Sequence, residues 1–284
     1  MSIEVVTPRG RFCALSAGPS DGETVLCLHG FPDVPHTMSG IVDALARRGF
    51  RAVAPFLRGY APSVLEGPYD VDALAADLVA LAGELSPDRP VSVVGHDWGA
   101  IATYAALVLA PSRFRRAVTM AVPHPLAFVR NLARDPRQLA RSWYIFALQP
   151  SLGDWLFQRR DHALVDLLFH DWSPGFTPDP RHLSRIKACF AESGTAPIEY
   201  YRALARPPST RLARRREAQH ERITTPTLQL HGGRDGCVGP ALGDDQARWF
   251  DAPLTRVVFD DLGHFLHLEA PLRVEAQIVE YLGA

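Results

Sequence analysis

Short apolar runs alternate along this chain with longer stretches in which apolar residues recur every three or four positions. Residues 3–7 and 11–17 alternate as two strands of an opening hairpin, and residues 25–28, 51–54, 91–94 and 116–122 read as short buried strands. Between them, residues 36–48, 71–85 and 101–109 carry helical spacing, with Gly49 placed to end the first of these helices. From Pro123 to Arg222 the alternation stops: four segments read as helices and none as a convincing strand. It resumes with a strand at 227–231, a helix at 239–250, a strand at 255–259 and a helix at 272–282. Short β-branched strands separated by helices imply an α/β fold with a mostly parallel central sheet flanked by helices. The expected organisation is a core from residues 1–122 and 223–284, with a helical cap of residues 123–222 inserted in it. A cap leaving and rejoining one edge of the sheet can cover the carboxyl ends of the strands, where open α/β sheets bind ligands.

Composition narrows the picture. The 284 residues suffice for one large domain with an insert, and a 47% apolar fraction is ordinary for a globular core. A net charge of -1 argues against nucleic acid or an anionic membrane as partner. The basic run 211–216 reads as a solvated helix face. Cys13, Cys27, Cys189 and Cys237 are widely spaced without a CxxC pattern, which suits reduced thiols in a cytoplasmic protein and offers no metal site. The N-terminus lacks a secretory apolar region, and no apolar run is of membrane-spanning length.

The chemistry centres on Gly95-His96-Asp97-Trp98-Gly99, a G-x-D-x-G turn between an expected strand and an expected helix. Such an elbow usually carries a serine. A carboxylate there is already ionised and can displace a leaving group from saturated carbon, forming an ester with the enzyme. Water can open that ester if a histidine base, an orienting acid and an oxyanion hole are present. In chain order, Asp235 follows the strand at 227–231 and His264 follows the strand at 255–259. His267 is the alternative base and is expected to face a helix or solvent. His29 and His96 read as packing residues. The Phe31 amide in "HGFPD" and the Trp98 amide are the expected oxyanion donors.

With these pieces the sequence resembles the α/β-hydrolase superfamily over nearly its whole length, and within it the epoxide hydrolases. The resemblance is carried by "HGFPD", "RGYAPS", "GHDWGA", "VPHP", "SWYIFALQ", "YYRAL", "GRD" and "LGHFLHLEAP". It implies an α/β-hydrolase fold, no metal or organic cofactor, and two tyrosines that donate to the epoxide oxygen. The matching positions are Tyr144 and Tyr201, with Tyr200 as the rival for the second. A tyrosine, with a reference pKa of about 10, is a protonated donor at neutral pH. The expected substrate is a small apolar epoxide in a pocket lined by Trp143, Pro32, Phe128 and Phe265, and a homodimer is possible. Haloalkane dehalogenases share the aspartate nucleophile and are the alternative. Their second halide donor would have to be Trp143, Trp155 or Trp172, because Phe31 stands where many carry an asparagine. Phe56 stands where relatives usually carry an aspartate, which implies altered loop packing.

Overall fold

A computed structural model describes residues 1–150, 152–205 and 222–283. The basic run 211–216, expected on a helix face, lies outside the described residues. The strands are β1 (Ser2–Thr7), β2 (Gly10–Ala17), β3 (Thr24–Leu28), β4 (Arg51–Pro55), β5 (Val91–His96), β6 (Phe114–Met120), β7 (Thr227–Gly232) and β8 (Leu254–Phe259). They form one eight-stranded sheet in the order β1-β2-β4-β3-β5-β6-β7-β8. β1 pairs with β2, and β2 with β4, in antiparallel fashion; the remaining pairs are parallel. β3, β5 and β7 are buried at every position, as strands covered by helices on both faces are, and the polar Thr227, Gln229 and His231 of β7 find hydrogen-bond partners there.

The helices divide between the two faces of the sheet. On one face pack α1 (Ser39–Arg47) and the last helix, α11 (Pro271–Gly283), through Ile41, Leu45, Val274 and Ile278. On the other pack α2 (Val71–Leu85) and α3 (Trp98–Leu109), through Leu74, Leu78, Ala102 and Ala106. Local chemistry sets the helix ends. The Asp70 carboxylate accepts from the Ala73 amide at 2.9 Å and caps α2. Gly49, at φ +85°, turns the chain after α1 in a conformation that disfavours a side chain.

Between β6 and β7 the described chain is helical: α4 (Pro125–Asn131), α5 (Arg137–Arg141), α6 (Trp143–Ala147), α7 (Leu152–Trp172), α8 (Pro180–Ser193) and α9 (Glu199–Ala205). These are more numerous and shorter than the four helices expected. Prolines at the starts of α4 and α8, and non-helical backbone at 159–162 inside α7, divide what apolar spacing alone runs together. The "RGYAPS" loop docks this stretch onto the sheet. The Ala61 amide donates to Ser193 Oγ at 2.8 Å, and Cys189 Sγ donates to the Ala61 carbonyl.

The expected helix at 239–250 is absent. Two 3-10 turns stand there, Pro240–Gly243 and Gln246–Trp249, separated by extended Asp244 and by Asp245 at φ 61°. Carbonyls that a helix would use internally serve tertiary partners instead. Asn131 Nδ2 donates to the Leu242 and Asp244 carbonyls, and Arg256 donates to the Pro240 carbonyl. A short α10 (Leu266–Glu269) precedes α11. Phe56 packs edge-on against His36, with ring centroids 5.6 Å apart. No described helix is long and apolar enough to cross a membrane.

The motif arginine Arg58 has a structural role. It is buried and forks onto Asp77 of α2, with Nε–Oδ2 at 2.6 Å and Nη2–Oδ1 at 2.7 Å, while Arg9 reaches Oδ1 at 2.5 Å. Removing one partner of such a pair strands a buried charge. Asp77→Ala is therefore expected to lower unfolding free energy by roughly 3–5 kcal/mol. Urea denaturation measures this, and a loss below about 1 kcal/mol would mean that solvent already screens Arg58.

Candidate active site

Four strand ends of the sheet deliver the site. β5 ends at His96, and Asp97 follows at φ 51°, ψ -116° before α3 begins. A non-glycine residue there stores strain of about 1–3 kcal/mol, and that strain points the carboxylate away from the sheet. The glycines around it allow close approach. A Cβ on Gly95 would meet the Gly99 carbonyl at 2.4 Å, and one on Gly30 would meet Asp97 Oδ1 at 2.4 Å. After β3, the loop "HGFPD" brings the Phe31 amide to Asp97 Oδ1 at 2.8 Å. The Trp98 amide opens α3, where first-turn N–H groups have no intrahelical acceptor.

The loop after β7 holds Asp235. Its Oδ1 accepts from the Cys237 and Val238 amides at 2.7 and 2.8 Å, and its Oδ2 accepts from His264 Nδ1 at 2.9 Å. That bond sets the imidazole's orientation and leaves Nε2 toward Asp97, 3.6 Å from Oδ2. This is ion-pair distance rather than a hydrogen bond, and His264 Nε2 has no hydrogen-bond partner among the described residues. Asp97, Asp235 and His264 are all buried.

Two insert helices add the tyrosines. Tyr144 on α6 and Tyr201 on α9 meet edge to face with ring centroids 5.3 Å apart. Tyr201 also lies against Phe31 and Trp98, each at 5.2 Å. Its hydroxyl is buried without a hydrogen-bond partner among the described residues, whereas the Tyr144 hydroxyl lies 3.4 Å from Cys237 Sγ. Tyr200 is excluded as the second donor, since its hydroxyl already donates to the Arg58 carbonyl. Burial pushes both Tyr144 and Tyr201 well above the ordinary phenol range, and the nearby Asp97 charge adds to this. Both are therefore protonated donors.

The remaining expected residues divide. Pro32 is buried beside Phe31. Phe265 lies under the base, 5.2 Å from the His264 ring and stacked on Phe169 at 3.9 Å. Trp143 is half-buried next to Tyr144, at 6.4 Å. Phe128 is half-buried on α4, and no described ring contact joins it to the triad or the tyrosines. A cavity of about 430 Å³ at Leu65, Tyr69, Ala196 and Glu199 is lined by none of Asp97, Asp235, His264, Tyr144 or Tyr201.

His29 holds the loop, donating from Nδ1 to the Gly30 carbonyl and accepting at Nε2 from the Leu57 amide. His267 departs from expectation: it faces neither solvent nor an open helix side but is buried against His96, with ring centroids 4.5 Å apart. The cause is the short α10, which turns the chain inward after His264. His267 Nε2 lies 3.9 Å from Asp33 Oδ2, in a buried group formed by Asp33, His96 and His267. The sequence reading missed this group and also missed Cys237. The signal for Cys237 was its position two residues after Asp235.

Electrostatics follow from burial and pairing. Burial pushes Asp97 up, but the adjacent His264, His96 and the Phe31 amide outweigh it and hold the carboxyl below its ordinary range. For His264, burial acts downward, but the Asp235 and Asp97 carboxylates overcome it and raise the imidazolium to about 10. Burial lowers His29 to about 3 and both His96 and His124 to about 4. These shifts have opposite signs for stability. A raised histidine stabilises fully below its unfolded value of 6.5, and that contribution is lost as pH rises toward 10. Lowered histidines stabilise above 6.5, and theirs is lost as pH falls toward 4. The melting temperature should thus peak near neutrality and fall on both sides, with the alkaline decline weakened in His264→Gln. Calorimetry across pH checks this, and a level profile from 6.5 down to 4 contradicts neutral burial of these imidazoles.

Residues 23–271 match the alpha/beta hydrolase fold family. The chain belongs to this family. It is similar to "Epoxide hydrolase A" of Mycobacterium tuberculosis, 28% identical over 96% of this chain and 94% of that protein. It is also similar to "Epoxide hydrolase 4" of Mus musculus, 27% identical over 96% of this chain and 76% of that protein. The crystal structure of Bacillus megaterium epoxide hydrolase in complex with an inhibitor superposes with a TM-score of 0.85, covering 99% of this chain and 100% of that one, at 22% identity. That likeness speaks for the fold.

Proposed function

We propose that this protein is an epoxide hydrolase that works through an ester on Asp97. The observation that carries this reading is the meeting of the buried Tyr144 and Tyr201 rings, 5.3 Å apart, with Tyr201 packed on Phe31 and Trp98, the residues that flank the Asp97 carboxylate. An epoxide oxygen leaves as a strongly basic alkoxide and needs donors such as their hydroxyls. The names of the curated relatives agree with this choice of reaction.

In the first step Asp97 Oδ2 forms a bond to a ring carbon, the ring C–O bond breaks, and the oxygen takes a proton from one of the two tyrosines. Asp97 Oδ1 stays on the Phe31 amide. The esterified aspartate has lost its charge, so one of the two carboxylates that raise His264 no longer does so. The imidazolium proton then passes to the tyrosinate, which restores the phenol and leaves His264 a neutral base at the moment one is needed. In the second step His264 takes a proton from water, and the hydroxide adds to the ester carbonyl carbon. The Phe31 and Trp98 amides hold the resulting oxyanion. Collapse expels the diol oxygen, which takes the proton from His264. Asp97 emerges as an acid whose proton passes to His264, restoring the resting carboxylate–imidazolium pair, so water and epoxide balance to a vicinal diol. The helical insert acts as a cap, because both tyrosines reside in it.

One observation favours a second reading, a haloalkane dehalogenase. Trp172 Nε1 is buried without a hydrogen-bond partner among the described residues, and its ring lies 4.8 Å from Tyr144 and 5.0 Å from His264. With the Trp98 ring it would suit a halide.

Purified protein given styrene oxide and, separately, 1-bromobutane separates the two by following diol and bromide. Diol without bromide is expected. Asp97→Ala should reduce turnover by at least about 10⁴-fold, and Tyr144→Phe or Tyr201→Phe by about 10²-fold. His264→Gln should accumulate ester, seen as the mass of the epoxide added to the Asp97 peptide. Bromide release without diol sinks the proposal.

A further inference from the structure

Cys237 stands at the centre of the site, although nothing in the reaction above uses it. Its Sγ, an Asp97 carboxylate oxygen and a His264 ring nitrogen all lie within 4.8 Å of one another. Its backbone is held on both sides. The amide donates to Asp235 Oδ1 at 2.7 Å, and the carbonyl accepts from Gln138 Nε2 at 2.7 Å. Gln138 Oε1 in turn accepts from the Gly239 amide at 3.0 Å. The thiol is thus fixed relative to the triad acid, and it lies 3.4 Å from the Tyr144 hydroxyl.

We propose that Cys237 is a positioning residue that aims the Tyr144 hydroxyl at the epoxide oxygen, tying the ring-opening donor to the loop that carries the triad acid. This deepens the epoxide hydrolase reading and rests on it. Sulfur suits the task because a thiol is a weak donor and a weak acceptor. It gives the hydroxyl a preferred direction without holding its proton firmly, so transfer of the hydrogen bond to a substrate oxygen costs little. A wholly apolar side chain would leave the hydroxyl buried and unoriented. Burial holds the Cys237 thiol well above its ordinary pKa, so it stays protonated and does not rival Asp97 as nucleophile.

The test separates the two chemical steps. In a His264→Gln background, Cys237→Ala is expected to form the Asp97 ester about 3- to 10-fold more slowly from styrene oxide, the scale of one neutral hydrogen bond. With His264 intact, decay of the ester should be unchanged by Cys237→Ala. In a Tyr144→Phe background, Cys237→Ala should add no further slowing, and Cys237→Ser should recover much of the lost rate where Tyr144 is present. Should Cys237→Ala fail to fold, Cys237→Val enters the same comparison. Equal ester formation with and without the thiol overturns the proposal, as does equal slowing in the Tyr144→Phe background, which would mark a packing effect. Absence of any ester in His264→Gln alone refutes the epoxide hydrolase reading itself and the proposal with it.

Discussion

The Asp97 carboxylate is buried at the junction of β5 and α3 in a left-handed backbone conformation, and most of the site answers to that fact. An isolated buried carboxylate would take up a proton and cease to be a nucleophile. It stays ionised here because groups from distant parts of the chain converge on it. Phe31 offers an amide from the loop after β3, and His264 offers a positive charge from the loop after β8. Gly30 leaves room for the loop to come close enough. The price of the strained turn is met by this convergence.

The same convergence couples the parts. His264 is held by Asp235 on one nitrogen and faces Asp97 with the other. Asp235 is in turn anchored by the amides of Cys237 and Val238, and the Cys237 carbonyl by Gln138 of the helical insert. The insert therefore does more than cover the strand ends. It braces the loop that carries Asp235 and brings the Tyr144 and Tyr201 hydroxyls to the site, so a shift of the insert and a shift of Asp235 are mechanically linked. Trp172 strengthens this link, because its carbonyl accepts from the Gly236 and His264 amides.

Much of this was legible in the residues. The strands at 25–28 and 91–94, the helix at 71–85 and the reopening of the pattern at 227 are all found, because fully buried strands and amphipathic helices write their periods directly into the chain. The turn at Asp97 was readable because glycines on both sides of a lone acid leave few other conformations. The expected helix at 239–250 failed for the opposite reason. Its apolar spacing was adequate, but Asn131, Arg256 and Gln246 form bonds there that no local pattern announces. His267 failed similarly, since its burial depends on Asp33 and His96 from other segments.

By itself the sequence determined the α/β-hydrolase fold and which residues had the chemical character to react: a carboxylate at the elbow, an acid and a histidine in order, and tyrosines in the insert. Those properties are local, set by side-chain type, turn chemistry and hydrophobic period. Only the tertiary structure decided which groups meet. It assigned Tyr200 to the Arg58 carbonyl, left the Tyr201 hydroxyl without a hydrogen-bond partner among the described residues, and set Cys237 against Tyr144. It also made His264 a cation in the resting site, between two carboxylates brought from 29 and 167 residues away. Hydrogen bonds and buried charges act over a few ångströms in space, and separation along the chain carries no record of that distance.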